Sequence, residues 1–213
     1  MATARKPLNR ERILAAALRY VDEHGIEALS MRKLGQALGY EAMSLYNHVS
    51  NKDDLLDGVL DLVLAEMEPP DVNGGLAAIR HSSLAAHEAL QRHPWAAGQL
   101  MAPGRVRPAR LQFMNALLGA LRNAGFSPET TYHAYHVLDA HIVGFSLWQA
   151  SHGSIPQEEL DDVAAFIDRM APPAIYPHLH EHALEHLDDG PHQDVPAFEY
   201  GLDLLLESLE RLR

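Results

Sequence analysis

Arg32, Ala42, Met43, Ser44, Tyr46, Asn47, His48 and Lys52 all fall in one stretch, SMRKLGQALGYEAMSLYNHVSNKDDLL, at 30–56. Their types suit the base edges and the backbone of a nucleic acid. A guanidinium such as that of Arg32 can meet a guanine edge with two parallel hydrogen bonds. Small or polar side chains at Ala42, Met43, Ser44 and Asn47 let a short helix seat in a groove, with Leu45 and Val49 as apolar anchors beneath it. Tyr46 and His48 bring a hydroxyl and an imidazole to phosphate height. Lys52 opens a helix whose own N-terminal amides also attract a phosphate. The same residues would also serve three ordinary packed helices with solvated charges. Their spacing, taken with the charge distribution of the chain, favours the nucleic-acid reading.

The elements that must hold these residues are short helices with readable ends. Asn9 is an N-cap for a first helix, in which Ile13, Leu14, Ala17, Leu18 and Val21 recur at helical spacing before Gly25 stops it. Ser30 caps a second helix that ends at Gly39, although Lys33 stands where a capping box would place Glu. A third, at about 41–48, follows. Ser50 or Asn51 caps a fourth, with Asp53 and Asp54 against its positive dipole end. Two helices about a glycine turn are the layout of a helix-turn-helix, whose second helix enters the major groove. Arg5 and Lys6 add a short basic arm.

The run EPPDVNGG at 68–75 marks a boundary, dividing a domain at 1–66 from a larger one at 67–213. Helical patterns follow at 76–91, 95–102, 108–124, 128–151, 157–170, 174–187 and 196–212, and 188–196 reads as a flexible loop. Strand alternation is nearly absent, so the expected fold is all-α.

Charge is divided between the two parts. Residues 1–52 hold eight Lys/Arg and five Asp/Glu, a net of +3, while 53–213 hold nine and 24, a net of -15. A basic end on an acidic body docks on phosphate through that end alone. There is no cysteine, hence no disulfide framework and no thiolate metal site. The opening MATARKPLNRER lacks the apolar run of a signal peptide, and no stretch reaches the roughly 18 apolar residues that span a membrane. A cytoplasmic protein with no membrane partner is expected.

Within the larger part, Trp95, Met101, Phe113, Tyr132, Tyr135, His136, Asp139 and Trp148 are the candidates for a ligand pocket. Tyr132, Tyr135, His136 and Asp139 recur at i, i+3, i+4 and i+7, and buried polar groups need partners. Either a bound ligand or a two-fold interface would supply them. Val137, Ala140, Gly144 and Leu147 suit close helix–helix packing. The 14 histidines include His178, His182 and His186, spaced four apart. Two such imidazoles can chelate zinc or nickel, but the third lies two turns from the first, and a solvated face explains all three as well. No metal or cofactor is assigned. A competing reading, a His-rich metal-dependent enzyme, lacks a phosphate loop, nucleophile elbow or HExxH pattern; metal on the His178 face would instead make a metal-responsive regulator, and an architectural DNA binder would need more positive charge than +3 over residues 1–52. The chain is therefore read as a non-enzyme.

Residues 9–60, with MRKLGQALG and SLYNHVSNKDDLLDGVL, resemble the DNA-binding domain of the tetracycline-repressor (TetR) family. AGFSPETTYHAYHVLDAHIVGFSLW and PAFEYGLDLLLESLERL resemble the dimer-forming helices of the subgroup nearest tetracycline repressor itself. The resemblance implies a homodimeric repressor that binds a double-stranded operator and is released by a small-molecule effector. Its base-reading positions fall on Arg32, Ala42, Met43 and Ser44, and its phosphate-contacting positions on Tyr46, Asn47, His48 and Lys52. Ala42 offers only an apolar contact, so the operator is not assumed to match that of any relative. Tetracycline repressors hold a magnesium–drug complex partly through a histidine. The matching stretch here, Gly98-Gln99-Leu100-Met101, has none, nor does EMEPPD at the start of the larger domain. Magnesium–tetracycline is therefore not the expected ligand.

Overall fold

A computed structural model describes residues 7–102, 107–152, 160–187 and 196–213, with backbone alone at 152, 160–164 and 186–187. The basic arm at Arg5 and Lys6 and nearly all of the loop expected at 188–196 lie outside the described residues. The described residues form helices and no strand. They are α1 (Arg10–His24), α2 (Met31–Leu38), α3 (Ala42–Leu45), α4 (Lys52–Glu66), α5 (Gly75–Arg92), α6 (Pro94–Met101), α7 (Pro108–Asn123), α8 (Pro128–His152), α9 (Leu160–Met170), α10 (Pro177–Leu187) and α11 (Ala197–Glu210), with one 3₁₀ turn at Ile26–Ala28.

The caps form as the sequence implies. Asn9 Oδ1 accepts from the Arg12 amide at 2.9 Å, Ser30 Oγ from Lys33 at 3.3 Å, and Asn51 Oδ1 from Asp54 at 2.8 Å. Gly39 closes α2 in the left-handed region at φ 75°, which glycine enters without steric cost. One element is shorter than expected. In place of a helix over 41–48, α3 is a single turn, because the Leu45 carbonyl accepts from both His48 and Val49 and the chain tightens there.

Two buried clusters fill the molecule. Ile13, Leu14, Val21, Leu34, Leu45, Val49, Leu55 and Val59 make the core of α1–α4. Leu60, Val63, Leu90, Phe113, Leu121, Leu138, Phe198 and Leu202 belong to the core of α4–α8 and α11. The change from one core to the other falls inside α4, between Val59 and Leu60. Leu18 and Trp95 pack against both cores.

Long-range polar bonds fix the body. Arg80 of α5 grips Asp203 through Nε at 2.6 Å and Glu199 at 2.8 Å, both on α11. Buried His87 of α5 stacks on Phe198 with ring centroids 3.8 Å apart, and its Nδ1 lies 2.8 Å from Ser146 Oγ on α8. Ser146 Oγ donates to the Ile142 carbonyl, so His87 Nδ1 is the donor to Ser146. Burial, helped by nearby His141, pushes His87 down from 6.5 to about 4, and the ring is neutral at pH 7.

Two outcomes follow from this packing. A Cβ on Gly35 would stand 2.8 Å from the Tyr40 carbonyl oxygen and 3.2 Å from the Ala42 nitrogen, both backbone atoms that cannot swing aside. Gly35→Ala should therefore cost about 1–3 kcal/mol by overpacking, against the gain that alanine gives an exposed helix. Thermal unfolding reads this as a lower midpoint, and a raised one would contradict the contact. His87 supplies a pH dependence. Between pH 6.5 and about 4 the unfolded chain binds a proton that the folded chain refuses. Its contribution is thus complete above 6.5 and drains as pH falls to about 4. Urea unfolding at pH 7, 5.5 and 4.5 should show this slope, and His87→Gln should flatten it.

Candidate nucleic-acid interface and ligand cleft

The surface of α2–α4 is built on one ion pair. Arg10 on α1 meets Asp54 on α4 with two parallel bonds, Nη2 to Oδ1 at 2.8 Å and Nη1 to Oδ2 at 3.1 Å. The same guanidinium donates to the His48 carbonyl at 3.2 Å, and Asp54 Oδ2 accepts from the Ser50 amide at 2.7 Å. The turn after α3 is thereby pinned to α1 and to the start of α4. The Arg10 bonds first, then the Ser50 amide, hold the Asp54 carboxyl at about 2, below its usual value. From sequence, Asp54 had only a helix-dipole role. Its partner lies 44 residues away, beyond the reach of local pattern.

On this frame the predicted contact residues face outward. Arg32, Met43, Tyr46, Asn47 and Lys52 are exposed, Met43 at 74%, while Ala42, Ser44 and His48 are half-buried. Leu45 and Val49 are buried at 0% and 2%, so the anchors sit as expected. An exposed row of small, polar and cationic groups over a rigid apolar base is what groove docking requires.

The candidate pocket residues separate. Phe113 and Tyr135 are buried in the body core. Met101, Tyr132 and Trp148 are 55–61% exposed, and His136 is exposed, its Nδ1 bonded to the Tyr132 carbonyl of its own helix. Asp139 pairs with Arg110 of α7. Trp95 donates from Nε1 to Asp22 Oδ1 on α1 at 2.9 Å. Tyr132 and Trp148 are sixteen residues apart on one helix, roughly 24 Å along its axis, too far for one small-molecule site. The eight side chains therefore do not converge on one point of the body. Helical spacing shows which residues share a stripe, and the neighbouring helices decide which part of it is covered.

The structure instead opens a cleft of about 300 Å³ between α5, α6 and α8, lined by Leu90, Gln91, Pro94, Ser146, Gln149 and Ala150. That volume stands at the lower end of small-molecule sites. Its polar groups are uncharged. Gln91 Nε2 donates to Gln149 Oε1 at 3.3 Å, and Ser146 is the residue held by His87. None of the sequence candidates lines it. The available signal was the pair of glutamines and the serine facing one another from α5 and α8, which lack the aromatic bulk that drew attention elsewhere.

His178 and His182 are exposed on α10, and the side chain of His186 lies outside the described residues. The histidine between them, His180, turns inward to the Ala171 carbonyl at 3.0 Å. Among the described residues no three His, Asp or Glu groups converge as a metal ion would need. No described helix is long and apolar enough to cross a membrane.

Comparison with known proteins agrees with this geometry. Residues 13–59 match the model of bacterial regulatory proteins of the tetR family, and residues 76–213 match the tetracyclin repressor-like C-terminal domain. The class D tetracycline repressor protein of Escherichia coli is 30% identical over 95% of this chain and 89% of its own length. The HTH-type transcriptional repressor DrrR1 of Streptomyces coeruleorubidus is 29% identical over 96% of this chain and 78% of its own. Among solved structures, Streptomyces coelicolor ActR in complex with actinorhodin superposes with a TM-score of 0.73 at 27% identity, over 97% of this chain and 98% of that one. A TetR variant from Acinetobacter baumannii AYE in complex with minocycline gives 0.70, also at 27% identity, over 97% and 96%. A basic helix-turn-helix set by an Arg–Asp clamp on an acidic all-α body is thus matched along nearly its whole length, and the chain belongs to the TetR family of DNA-binding transcriptional regulators.

Proposed function

We propose that this chain is a homodimeric repressor that holds a palindromic operator through α2–α4 and leaves it when a small molecule occupies the α5–α6–α8 cleft. The observation that carries the reading is the exposed row from Arg32 to Lys52, fixed by the Arg10–Asp54 clamp on the basic end of an acidic chain. Arg32, Ala42, Met43 and Ser44 read base edges, with Ala42 limited to apolar contact such as a thymine methyl. Tyr46, Asn47, His48 and Lys52 hold phosphates. The protein acts in the cytoplasm.

Dimerisation rests on α8 and α11. Val137 and Leu147 stand 46% and 37% exposed, with Ala140 and Gly144 open between them, and Tyr200 and Leu204 of α11 are 61% and 48% exposed. A second copy covering this face by two-fold symmetry sets two recognition elements about 34–36 Å apart, one turn of DNA. A ligand that binds better to a state with different separation weakens simultaneous docking.

The relatives crystallised with actinorhodin and with minocycline support a small organic effector. The cleft lining here offers amide and hydroxyl groups, with no carboxylate or imidazole for magnesium. It therefore favours an uncharged organic ligand over a magnesium–tetracycline complex.

Selection from random duplexes by the purified protein should recover one palindrome with a steep salt dependence. On that duplex, Lys52→Ala should weaken binding to all sequences alike and lower the salt slope by about one. Arg32→Ala should instead relax preference at a single base pair, by about 1–3 kcal/mol. Fluorescence anisotropy distinguishes the two patterns, and an unchanged affinity for Lys52→Ala would contradict the docking. Gly144→Arg should turn a dimer into a monomer in sedimentation and abolish tight operator binding.

A further inference from the structure

The boundary between the helix-turn-helix and the body is closed by a polar knot. His93 lies between α5 and α6 and is 7% exposed. Its Nδ1 is 2.8 Å from Asp22 Oδ1 on α1, and its Nε2 is 3.3 Å from Glu66 Oε1 at the end of α4. Trp95 Nε1 donates to the same Asp22 oxygen at 2.9 Å, and its ring packs on both cores. Arg92 completes the knot by gripping Glu66 Oε2 at 2.8 Å and 3.0 Å. Arg92, His93 and Trp95, the residues on either side of Pro94, thus hold both α1 and the end of α4.

Pro94 itself lines the cleft. Its ring fixes its own φ and restricts the residue before it, so the link from Pro94 to His93 has little torsional slack. Whatever displaces Pro94 must move His93 and, through it, the carboxylates on α1 and α4.

We infer that the Asp22–His93–Glu66 knot, with Trp95, is the element that transmits occupancy of the cleft to the orientation of the helix-turn-helix. The inference rests on the reading of the cleft as the effector site. Asp22, Glu66, His93 and Trp95 are positioning residues, since none of them lines the cleft or belongs to the proposed contact row at 32–52. A coupling of this kind is worth typically 5–150-fold in affinity.

The chain has no cysteine, so Ala150→Cys places a single thiol at the cleft, and pyrene maleimide attaches there alone as a tethered occupant. Operator affinity is measured with and without the label, in the full chain and again with Asp22→Ala added. Labelling should lower affinity at least fivefold in the first protein and less than twofold in the second. Asp22→Asn, which keeps an acceptor oxygen, should restore most of the response. Equal loss with and without Asp22→Ala would overturn the knot and leave the cleft as the effector site. No loss in either protein would overturn the cleft as the effector site, and the knot with it. Circular dichroism checks that each variant folds. Should Asp22→Ala fail to fold, Trp95→Phe, which removes only the indole N–H, takes its place under the same criteria.

Discussion

Helix α4 belongs to two cores at once, and the rest of the molecule is arranged around that constraint. Leu55 and Val59 are buried among α1–α3, while Leu60, Val63 and Leu64 are buried in the body. Val59 and Leu60 are consecutive residues, about 100° apart around one helix. Burying each such side chain contributes about 1.5–3 kcal/mol, so neither core can release α4 cheaply. Both ends of the helix are also tied by charge, through Asp54 to Arg10 in front and Glu66 to Arg92 behind. A rigid rod owned by two cores carries displacement between them. A flexible linker in the same place would absorb it.

Charge placement supports the division of labour. Among the body cations, Arg80, Arg92, Arg107 and Arg110 are all engaged with carboxylates. Their charge is spent within the fold. The body thus presents mainly acid to an approaching duplex, and the exposed Arg32 and Lys52 belong to the helix-turn-helix. Repulsion from the body and attraction at the helix-turn-helix orient the encounter before any base is touched.

How much was legible in the sequence followed the range of the interaction. Helix ends were legible because Asn9, Ser30 and Asn51 bond to amides three residues on, and Gly39 adopts a backbone that local sequence alone demands. In the proposed contact row at 32–52, the burial of the anchors Leu45 and Val49 was legible from their apolar spacing. The length of α3 was not, since the tightening at the Leu45 carbonyl leaves no mark in composition. The pocket was not either. Whether Tyr132 or Tyr135 is covered depends on which helices lie beside α8, and the pairing of Asp22 with His93 joins positions 71 residues apart. Gly35 left a fainter trace. A glycine inside a helix costs about 1 kcal/mol, and here the reason is the backbone of the next turn.

The grip of Arg80 on Glu199 and Asp203 has a consequence in time. The contacts of the α1–α4 core lie close together in sequence and can form as soon as α4 is made. Helix α5 must wait for α11, whose carboxylates follow Arg80 by 119 and 123 residues. At synthesis rates of roughly 5–20 residues per second, that wait is on the order of 10 s. During it the DNA-facing unit can already be folded while the body beside it is still open, and the body is locked shut only when α11 arrives to meet Arg80.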